Sequence, residues 1–223
     1  MVNSMIGSKV DSMLNPQNLG DSAEDNKVIW EVIYQKSDWG RYPCEDLIRF
    51  IAKNYYTVPD RSKIKILDLG CGTGTNLWYL AREGFTIFGI EGSKTAVEKC
   101  KSRLKNESLN GRVIQGDFTD LSGYEDNFFD AIIDISSVQQ NSLDKIKMVI
   151  SEIHCKLKPG GKFFGKMVAD SLQLKKGNYG YTHFFTEEEI KSLFNTFLSL
   201  KIGFVELKQD DVYNKSWLVE AQK

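Results

Sequence analysis

An apolar segment that ends in three closely spaced glycines constrains the fold of this chain more than any other feature. Residues 66–74 read Ile-Leu-Asp-Leu-Gly-Cys-Gly-Thr-Gly, and a stretch with helical character follows at residues 75–83. A strand, a glycine turn and a helix in this order bring the backbone close to a ligand at the carboxyl end of a parallel strand. Glycine is needed there because a Cβ would forbid the backbone angles and the close approach.

The spacing of the glycines separates this loop from two related phosphate-binding loops. A dinucleotide fingerprint, G-x-G-x-x-G, would place its third glycine at position 75, but the chain has Gly74 followed by Thr75. A P-loop would end in Gly-Lys-Ser/Thr, which is absent here. Asp68 precedes the turn by two residues, where a carboxylate would repel a pyrophosphate and would suit a ligand with an ammonium group. The loop therefore favours a cationic ligand.

Helical and strand patterns alternate along the chain after residue 44. Helices are predicted at residues 45–55, 76–83, 93–105, 142–157 and 186–198, and strands at 64–69, 85–90, 113–115, 129–135, 162–168, 200–208 and 216–221. This alternation predicts an α/β fold with a Rossmann-like, doubly wound, seven-stranded sheet. Because residues 209–215 are too few for a right-handed crossover, we expect the last strand to be antiparallel and to lie beside its predecessor.

The bulk properties fit one domain of an intracellular enzyme. Residues 1–26 are rich in Asn, Ser, Asp and Gly and are predicted to be a disordered or loosely docked tail, with a single domain at 27–223. The four cysteines match no zinc spacing, no signal peptide is evident, and no apolar stretch approaches the ~18 residues of a membrane span. We therefore expect a cytoplasmic protein that uses no metal and contacts no membrane. The net charge of -1 makes nucleic acid an unlikely main partner.

Acidic residues lie at the ends of four successive predicted strands, namely Asp68, Glu91, Asp117 and Asp134. Open parallel sheets bind ligands at the edge where these strands end. Glu91 lies 21 residues after Gly70, where a carboxylate can accept hydrogen bonds from ribose hydroxyls. Two alternatives stay open, since Asp117 could cap a turn and Asp134 could simply be solvated.

With these residues the chain resembles the class I S-adenosylmethionine-dependent methyltransferases from roughly Cys44 to the C-terminus. The resemblance depends on four elements in order: the Leu67–Gly74 loop, Glu91, the Gly116-Asp117-Phe118 element and the Leu157–Gly161 turn. An antiparallel last strand is also typical of that family. The resemblance implies S-adenosylmethionine as cofactor and S-adenosylhomocysteine as product.

The resemblance assigns residues to the methionine end of the cofactor. The backbone of the glycine loop would hold the methionine part through Gly70, Cys71, Gly72 and Gly74. Asp68 would meet the ammonium group through water. Carbonyl oxygens near Asp134 and Ile135 would approach the ammonium and sulfonium groups.

The resemblance also assigns residues to the adenosine end. Glu91 would bind both ribose hydroxyls, and Gly92 and Ser93 would lie against the adenine. Asp117 would accept a hydrogen bond from the adenine amino group. The backbone N–H of Phe118 would meet a ring nitrogen, so its backbone and not its ring carries the assignment.

Three segments are candidates for the acceptor side. Residues 37–43 include Trp39 and Arg41; such a segment folds over the cofactor in related enzymes, and Arg41 could pair with a cofactor carboxylate, with an acidic acceptor, or with solvent. Residues 136–141 lack the Asn/Asp-Pro-Pro-Tyr/Phe signature of enzymes that methylate DNA adenine or glutamine. The amides that could orient a polar acceptor there, or equally cap a helix, are Gln139, Gln140 and Asn141.

Residues 169–185 form the third segment, a long Gly- and Tyr-rich link that is predicted to be a substrate lid. It contains Tyr181, a candidate substrate contact, and His183, the best candidate for a general base because histidine exchanges protons near neutral pH. A structural histidine packed beside Phe184 and Phe185 is the alternative.

These observations together predict a methyltransferase that acts on an O or N atom of a small polar acceptor, a sugar or another metabolite. A non-catalytic module that binds S-adenosylmethionine is the main alternative. A nicotinamide oxidoreductase is disfavoured by Thr75 and by the Asp68 carboxylate. The sequence predicts neither the identity of the acceptor nor the oligomeric state.

Overall fold

A computed structural model describes residues 26–37, 40–170, 180–209 and 212–223 of the chain. The helices are α1 Asn26–Lys36, α2 Glu45–Tyr55, α3 Thr75–Arg82, α4 Lys94–Asn106, α5 Leu143–Lys156 and α6 Glu187–Leu193. The strands are β1 Lys65–Leu69, β2 Thr86–Glu91, β3 Arg112–Gln115, β4 Phe129–Ile135, β5 Leu157–Val168, β6 Ser199–Gln209 and β7 Val212–Gln222. Short 3₁₀ turns lie at Arg61–Lys63 and Val138–Gln140.

The strands form one seven-stranded sheet in the order β3-β2-β1-β4-β5-β7-β6. Strands β1 to β5 pair in parallel, whereas β7 lies between β5 and β6 and is antiparallel to both. The predicted α/β class and the antiparallel last strand beside its predecessor are therefore confirmed.

Side chains alternate between the two faces of the sheet and form a hydrophobic core on each side. On β1, Leu67 and Leu69 belong to one core cluster. Ile66 belongs to the other cluster, which includes side chains of α2 and α3. Strand β4 follows the same rule, since Ile132 faces the first cluster and Ile133 the second. Burial on both faces explains why these strands read as nearly continuous apolar runs.

Three predicted boundaries were wrong, the first being the start of β7, which lies at Val212 instead of residue 216 because Val212 already pairs with Gln209. Helix α6 ends at Leu193 instead of near residue 198, because the chain turns after Phe194 and buries Phe194 and Phe197 in the core. Strand β5 begins at Leu157 instead of 162, because Leu157 pairs with Phe129 across a register shift.

The predicted tail falls almost wholly outside the described residues. Asn26, its last residue, begins α1 and is only 5% exposed. In the parts of the chain that the structure describes, every helix is too short or too polar to cross a membrane.

Candidate functional site

The glycine loop between β1 and α3 is approached closely from two sides. A Cβ on Gly70 would lie 2.3 Å from the Ser137 hydroxyl oxygen, and a Cβ on Gly72 would lie 2.7 Å from the Tyr34 hydroxyl oxygen. Both glycines also have positive φ angles, 63° and 52°. Only glycine satisfies both conditions at these positions.

The backbone N–H groups of this loop are engaged within the protein. Those of Gly70 and Cys71 donate to the Ile90 carbonyl at 2.9 and 3.2 Å, and that of Gly74 donates to the Cys71 carbonyl at 3.0 Å. The N–H of Gly72 donates to Glu91 Oε2 at 2.9 Å. A phosphate would need these donors, so the loop is better suited to a ligand that itself donates hydrogen bonds.

Three carboxylates converge beside the loop because β2, β1 and β4 are neighbours in the sheet. Asp68, Glu91 and Asp134 are 1%, 7% and 0% exposed. Burial raises the pKa of Asp68 well above its usual range, although a hydrogen bond from Asn76 lowers it. The nearby Asp134 and Glu91 carboxylates raise this pKa further. Burial likewise raises the pKa of Glu91, although the N–H groups of Ser93 and Gly72 oppose the shift. Such a cluster is costly unless a cationic group binds there.

Asp134 has one oxygen engaged and one available. Its Oδ1 accepts hydrogen bonds from the N–H groups of Ser137 and Val138 at 2.9 and 3.0 Å. Its Oδ2 is buried and has no hydrogen-bond partner among the described residues. Burial raises the Asp134 pKa to about 7, and the two N–H bonds only partly offset this effect. A buried orphan acceptor at the end of β4, beside the half-buried Ile135, is a place for a ligand donor.

The residues predicted for the adenosine end lie along the carboxyl ends of β2 and β3. Glu91 Oε1 accepts from the Ser93 N–H at 2.8 Å, so the backbone just after Gly92 helps to hold the carboxylate. Ser93 caps α4 as predicted, accepting from the Ala96 N–H at 3.1 Å. This arrangement fixes the orientation of Glu91 without using all of its acceptor capacity.

Asp117 and Phe118 take structural roles in this conformation. Asp117 Oδ1 accepts from the Thr119 N–H at 2.9 Å, which is the turn-capping alternative for this residue. The Phe118 ring packs against the core cluster, and its edge lies 3.5 Å from where a Gly70 Cβ would be.

Helix α1 covers this edge of the sheet, a role that the sequence did not reveal. The Asn26 side-chain amide donates to the carbonyls of Gln140 and Tyr181 at 2.7 and 2.9 Å and accepts from the Tyr181 N–H at 2.9 Å. Glu31 accepts from the hydroxyls of Ser93 and Thr95 at 2.5 and 2.6 Å. The apolar crowding of residues 28–33 signalled order, but no local pattern indicates these distant partners.

Tyr34 brings α1 to the glycine loop itself. Its side chain is 6% exposed, and its hydroxyl lies over Gly72. Burial and the nearby Glu91, Cys71 and Asp68 all raise its pKa, so the hydroxyl stays protonated. Tyr34 is therefore a neutral donor beside the acidic cluster.

The three amides predicted to face the acceptor are engaged within the protein. Gln139 Oε1 accepts from the Val168 N–H at 2.7 Å, and Gln140 Oε1 accepts from the Asn26 amide at 3.1 Å. Asn141 Nδ2 donates to the Val138 carbonyl at 3.3 Å. Through these hydrogen bonds the three amides connect the end of β5, the turn after β4 and α1, which together form the rim of the site.

The predicted lid is described only at its two ends. Residues 171–179 lie outside the described residues, while Ala169 bridges to Phe185. The His183 N–H donates to the Gln139 carbonyl at 2.8 Å, and its ring packs edge-on to Phe185 at 4.7 Å between centroids. Its Nε2 is 3.4 Å from Glu189 Oε1, close enough for an ion pair but not aligned as a hydrogen bond.

The segment before α2 crosses the start of α3. Trp39 lies outside the described residues. The Gly40 carbonyl accepts from the Thr75 hydroxyl at 2.8 Å, and the Arg41 carbonyl accepts from the Arg103 guanidinium. Arg41 is exposed and lines a cavity on the outer side of α3 and α4.

Comparison with known proteins identifies a domain within this chain. A family model described as "Methyltransferase domain" matches residues 66–161. The ribosomal RNA small subunit methyltransferase C of Alcanivorax borkumensis is 33% identical over 104 residues, which cover 44% of this chain and 30% of that protein. The demethylmenaquinone methyltransferase of Leptospira interrogans is 33% identical over 121 residues, covering 52% of this chain and 46% of that protein. The chain thus spans less than half the length of these two relatives.

Solved structures share the fold at low sequence identity. The [4+2]-cyclase SpnF superposes with a TM-score of 0.70 at 18% identity, over 92% of this chain and 97% of that one. The magnesium protoporphyrin IX methyltransferase of Synechocystis PCC 6803, solved with bound S-adenosylmethionine, has a TM-score of 0.60 at 14% identity, over 88% and 80% of the chains.

Proposed function

We propose that this chain carries a methyltransferase domain of the class I S-adenosylmethionine-dependent family and that it methylates an O or N atom of a small polar acceptor. The reaction would release S-adenosylhomocysteine. The proposal is supported by the buried cluster of Asp68, Glu91 and Asp134. This cluster lies beside a loop whose backbone N–H groups are hydrogen-bonded within the protein. Both features favour a ligand with an ammonium group and a sulfonium centre over a phosphate.

The residues present fit this cofactor, which supplies an already activated methyl group when bound. We assign the ribose hydroxyls to Glu91, because the N–H groups of Gly72 and Ser93 hold its carboxylate in place. The cofactor ammonium group is assigned to the orphan Oδ2 of Asp134 and, through water, to Asp68. Binding of a cation favours the ionised carboxylates, which offsets part of the cost of their burial.

The small size of the acceptor is inferred from how this edge is enclosed. Helix α1 and residues 180–185 close over it, and Tyr34 and Gln139 are nearly buried there. Methyl transfer chiefly requires that the acceptor be aligned and freed of water. The two named relatives differ in their acceptors, since one is named as a ribosomal RNA methyltransferase and the other as a demethylmenaquinone methyltransferase. The proposal of a small acceptor therefore depends mainly on the enclosure of this edge.

His183 is proposed as a general base for acceptors that must lose a proton. Its Nε2 lacks a hydrogen-bond partner among the described residues and lies 3.4 Å from Glu189 Oε1, which could help to orient the ring. Replacing His183 with Gln should lower kcat by roughly 10²- to 10⁴-fold and flatten the pH–rate profile. An unchanged profile would leave His183 a packing residue against Phe185.

A binding module without methyl transfer is the second candidate. The observation in its favour is that the [4+2]-cyclase SpnF has the same fold, so the fold by itself does not dictate methyl transfer. The two candidates differ in turnover. Incubation with S-adenosylmethionine and a panel of sugars and other polar metabolites should release S-adenosylhomocysteine with at least one acceptor. Cofactor binding without release across the panel would favour the binding module.

The compartment is proposed from cysteine chemistry. Cys44, Cys71, Cys100 and Cys155 are all free thiols. Free thiols persist in reducing surroundings, which supports a cytoplasmic location.

A further inference from the structure

A second cavity lies on the outer side of the glycine loop. It has a volume of about 510 Å³ and is bounded by residues 40–42, the start of α3 and one face of α4. Thr73 of the glycine loop lines it, but none of the three clustered carboxylates does. The cavity is thus a neighbour of the proposed cofactor site, and its lining is separate.

Cationic side chains dominate the lining of this cavity. Arg41, Lys99 and Arg103 line it together with one carboxylate, Glu107. The two oxygens of Glu107 are engaged by the Trp78 indole N–H at 2.7 Å and by Arg82 at 3.0 Å. With Arg82 counted, four cationic groups therefore face a single carboxylate.

The positive charges of Arg41 and Arg103 lie close enough to repel one another. The Arg103 guanidinium donates to the backbone carbonyl of Arg41, which holds the Arg103 side chain against residues 40–42. Burial lowers the pKa of Arg103, and the neighbouring Arg41 lowers it further, although Glu107 opposes both effects. Like charges held together in a cleft are typical of sites that bind an oppositely charged group.

Aromatic rings form the wall beside these cations. The Arg103 and Arg82 guanidinium carbons lie 4.7 and 5.2 Å from the centroid of the Trp78 ring, which fixes the Arg103 side chain beside the cavity. Tyr42 packs edge-on to Trp78 at 5.8 Å and is 72% exposed. An exposed aromatic ring beside clustered cations is the combination that holds a base and its phosphate.

We propose that this cavity binds a nucleotidyl phosphate. The phosphate is held by Arg41, Lys99 and Arg103, and the base stacks on Tyr42. The volume is within the usual range for small-ligand sites and is large enough for one nucleotide. The same chemistry is offered by a free nucleotide and by a single RNA strand.

Calorimetric titration with uridine 5′-monophosphate tests this site without using an adenine compound that could enter the cofactor site. Uridine 5′-monophosphate should bind, its affinity should fall with added salt, and uridine should bind at least about tenfold more weakly because it lacks the charged group. Lys99→Gln and Arg103→Gln should each weaken nucleotide binding by about tenfold or more. Lys105→Gln, an exposed substitution on the same helix outside the cavity, should leave it unchanged.

A second variant separates the base from the phosphate and does not disturb the core. Tyr42→Ala should weaken the nucleotide and leave binding of inorganic phosphate unaltered, and thermal unfolding should report a folded protein because Tyr42 is exposed. An octauridylate that binds much more tightly than the mononucleotide would identify an RNA strand as the source, and equal affinity would identify a free nucleotide. The proposal is overturned if no nucleotide binds, if inorganic phosphate binds as tightly as the nucleotide, or if the three cavity variants behave like Lys105→Gln.

Discussion

At the scale of single residues, Glu91 is the side chain whose geometry is best suited to a nucleoside. Two backbone N–H groups, from Gly72 and Ser93, fix its two carboxylate oxygens at 2.9 and 2.8 Å. Each oxygen keeps a further lone pair for a ligand hydroxyl. These two hydrogen bonds therefore offset part of the free-energy cost of desolvating the carboxylate before any ligand binds.

Replacing Glu91 with Gln should weaken the binding of S-adenosylhomocysteine by about tenfold or more. The amide would present an N–H group to one backbone N–H and would lose an acceptor for the ribose, a change that costs about 1–3 kcal/mol. Isothermal titration measures the affinity. Glu98→Gln, on the exposed face of α4, is the matched control and should bind like the wild type. Equal affinity in both variants would remove Glu91 from the ribose site.

Asp134 should make the protein less stable as pH rises from about 4 to about 7. Its folded-state pKa of about 7 exceeds its ordinary value of 3.8, so between these values the folded chain holds a proton that the unfolded chain has released. Each unit of pKa shift corresponds to about 1.4 kcal/mol, so the loss is on the order of a few kcal/mol and is complete above pH 7. The raised pKa values of Asp68 and Glu91 act in the same direction.

Urea unfolding at pH 5 and pH 8 measures this effect. Asp134→Asn retains an acceptor for the N–H groups of Ser137 and Val138 but cannot ionise, so the fall in unfolding free energy between the two pH values should be smaller than in the wild type. Asp144→Asn, at an exposed site on α5, should show the wild-type pH dependence. A pH dependence that is identical in all three proteins would contradict a raised Asp134 pKa.

At the scale of secondary-structure elements, α1 acts as the cover of the site. It is attached through Asn26 to the rim residues Gln140 and Tyr181 and through Glu31 to the start of α4, and Tyr34 reaches the glycine loop. A cofactor that binds beneath this helix has to enter past it or displace it. Closure by α1 should therefore govern how quickly the cofactor exchanges.

Gly180→Ala should release α1 from the rim. Gly180 has a φ of 81°, and a Cβ there would lie 2.1 Å from Asn26 Oδ1, the atom that accepts from the Tyr181 N–H. Loss of these bonds should raise amide exchange in residues 26–36 by roughly 10- to 100-fold, in line with about 1–3 kcal/mol. Gly203→Ala in β6, where a new Cβ meets no atom within 4 Å, is the control. If exchange in α1 is the same in both variants, Asn26 does not hold the helix down.

At the scale of the whole molecule, the sheet topology explains why the site could be predicted in part. The order β2-β1-β4 makes the carboxyl ends of these strands neighbours, so Glu91, Asp68 and Asp134 converge although they are far apart in sequence. Strand ends can be read from apolar runs and glycine turns, because burial on both faces leaves a strong local signal.

The parts that sequence reasoning missed depend on contacts between distant residues. Asn26 meets Tyr181 across 155 positions, and Glu31 meets Ser93 across 62. No local periodicity encodes such pairs, so the sequence did not predict that α1 covers the site. The length of α6 was also missed, because the tertiary burial of Phe194 and Phe197 overrides helix propensity.

Calorimetric titration of the wild-type protein is the decisive experiment on whether this edge of the sheet binds S-adenosylmethionine. S-adenosylhomocysteine, the stable product, should bind with a stoichiometry of one and compete with S-adenosylmethionine for the same site. NADH, the ligand expected for a dinucleotide loop, should show no competing heat, because the loop N–H groups are engaged and the carboxylates repel its pyrophosphate. Absence of heat with both S-adenosyl compounds, or binding of NADH in their place, would show that this edge of the sheet is not an S-adenosylmethionine site.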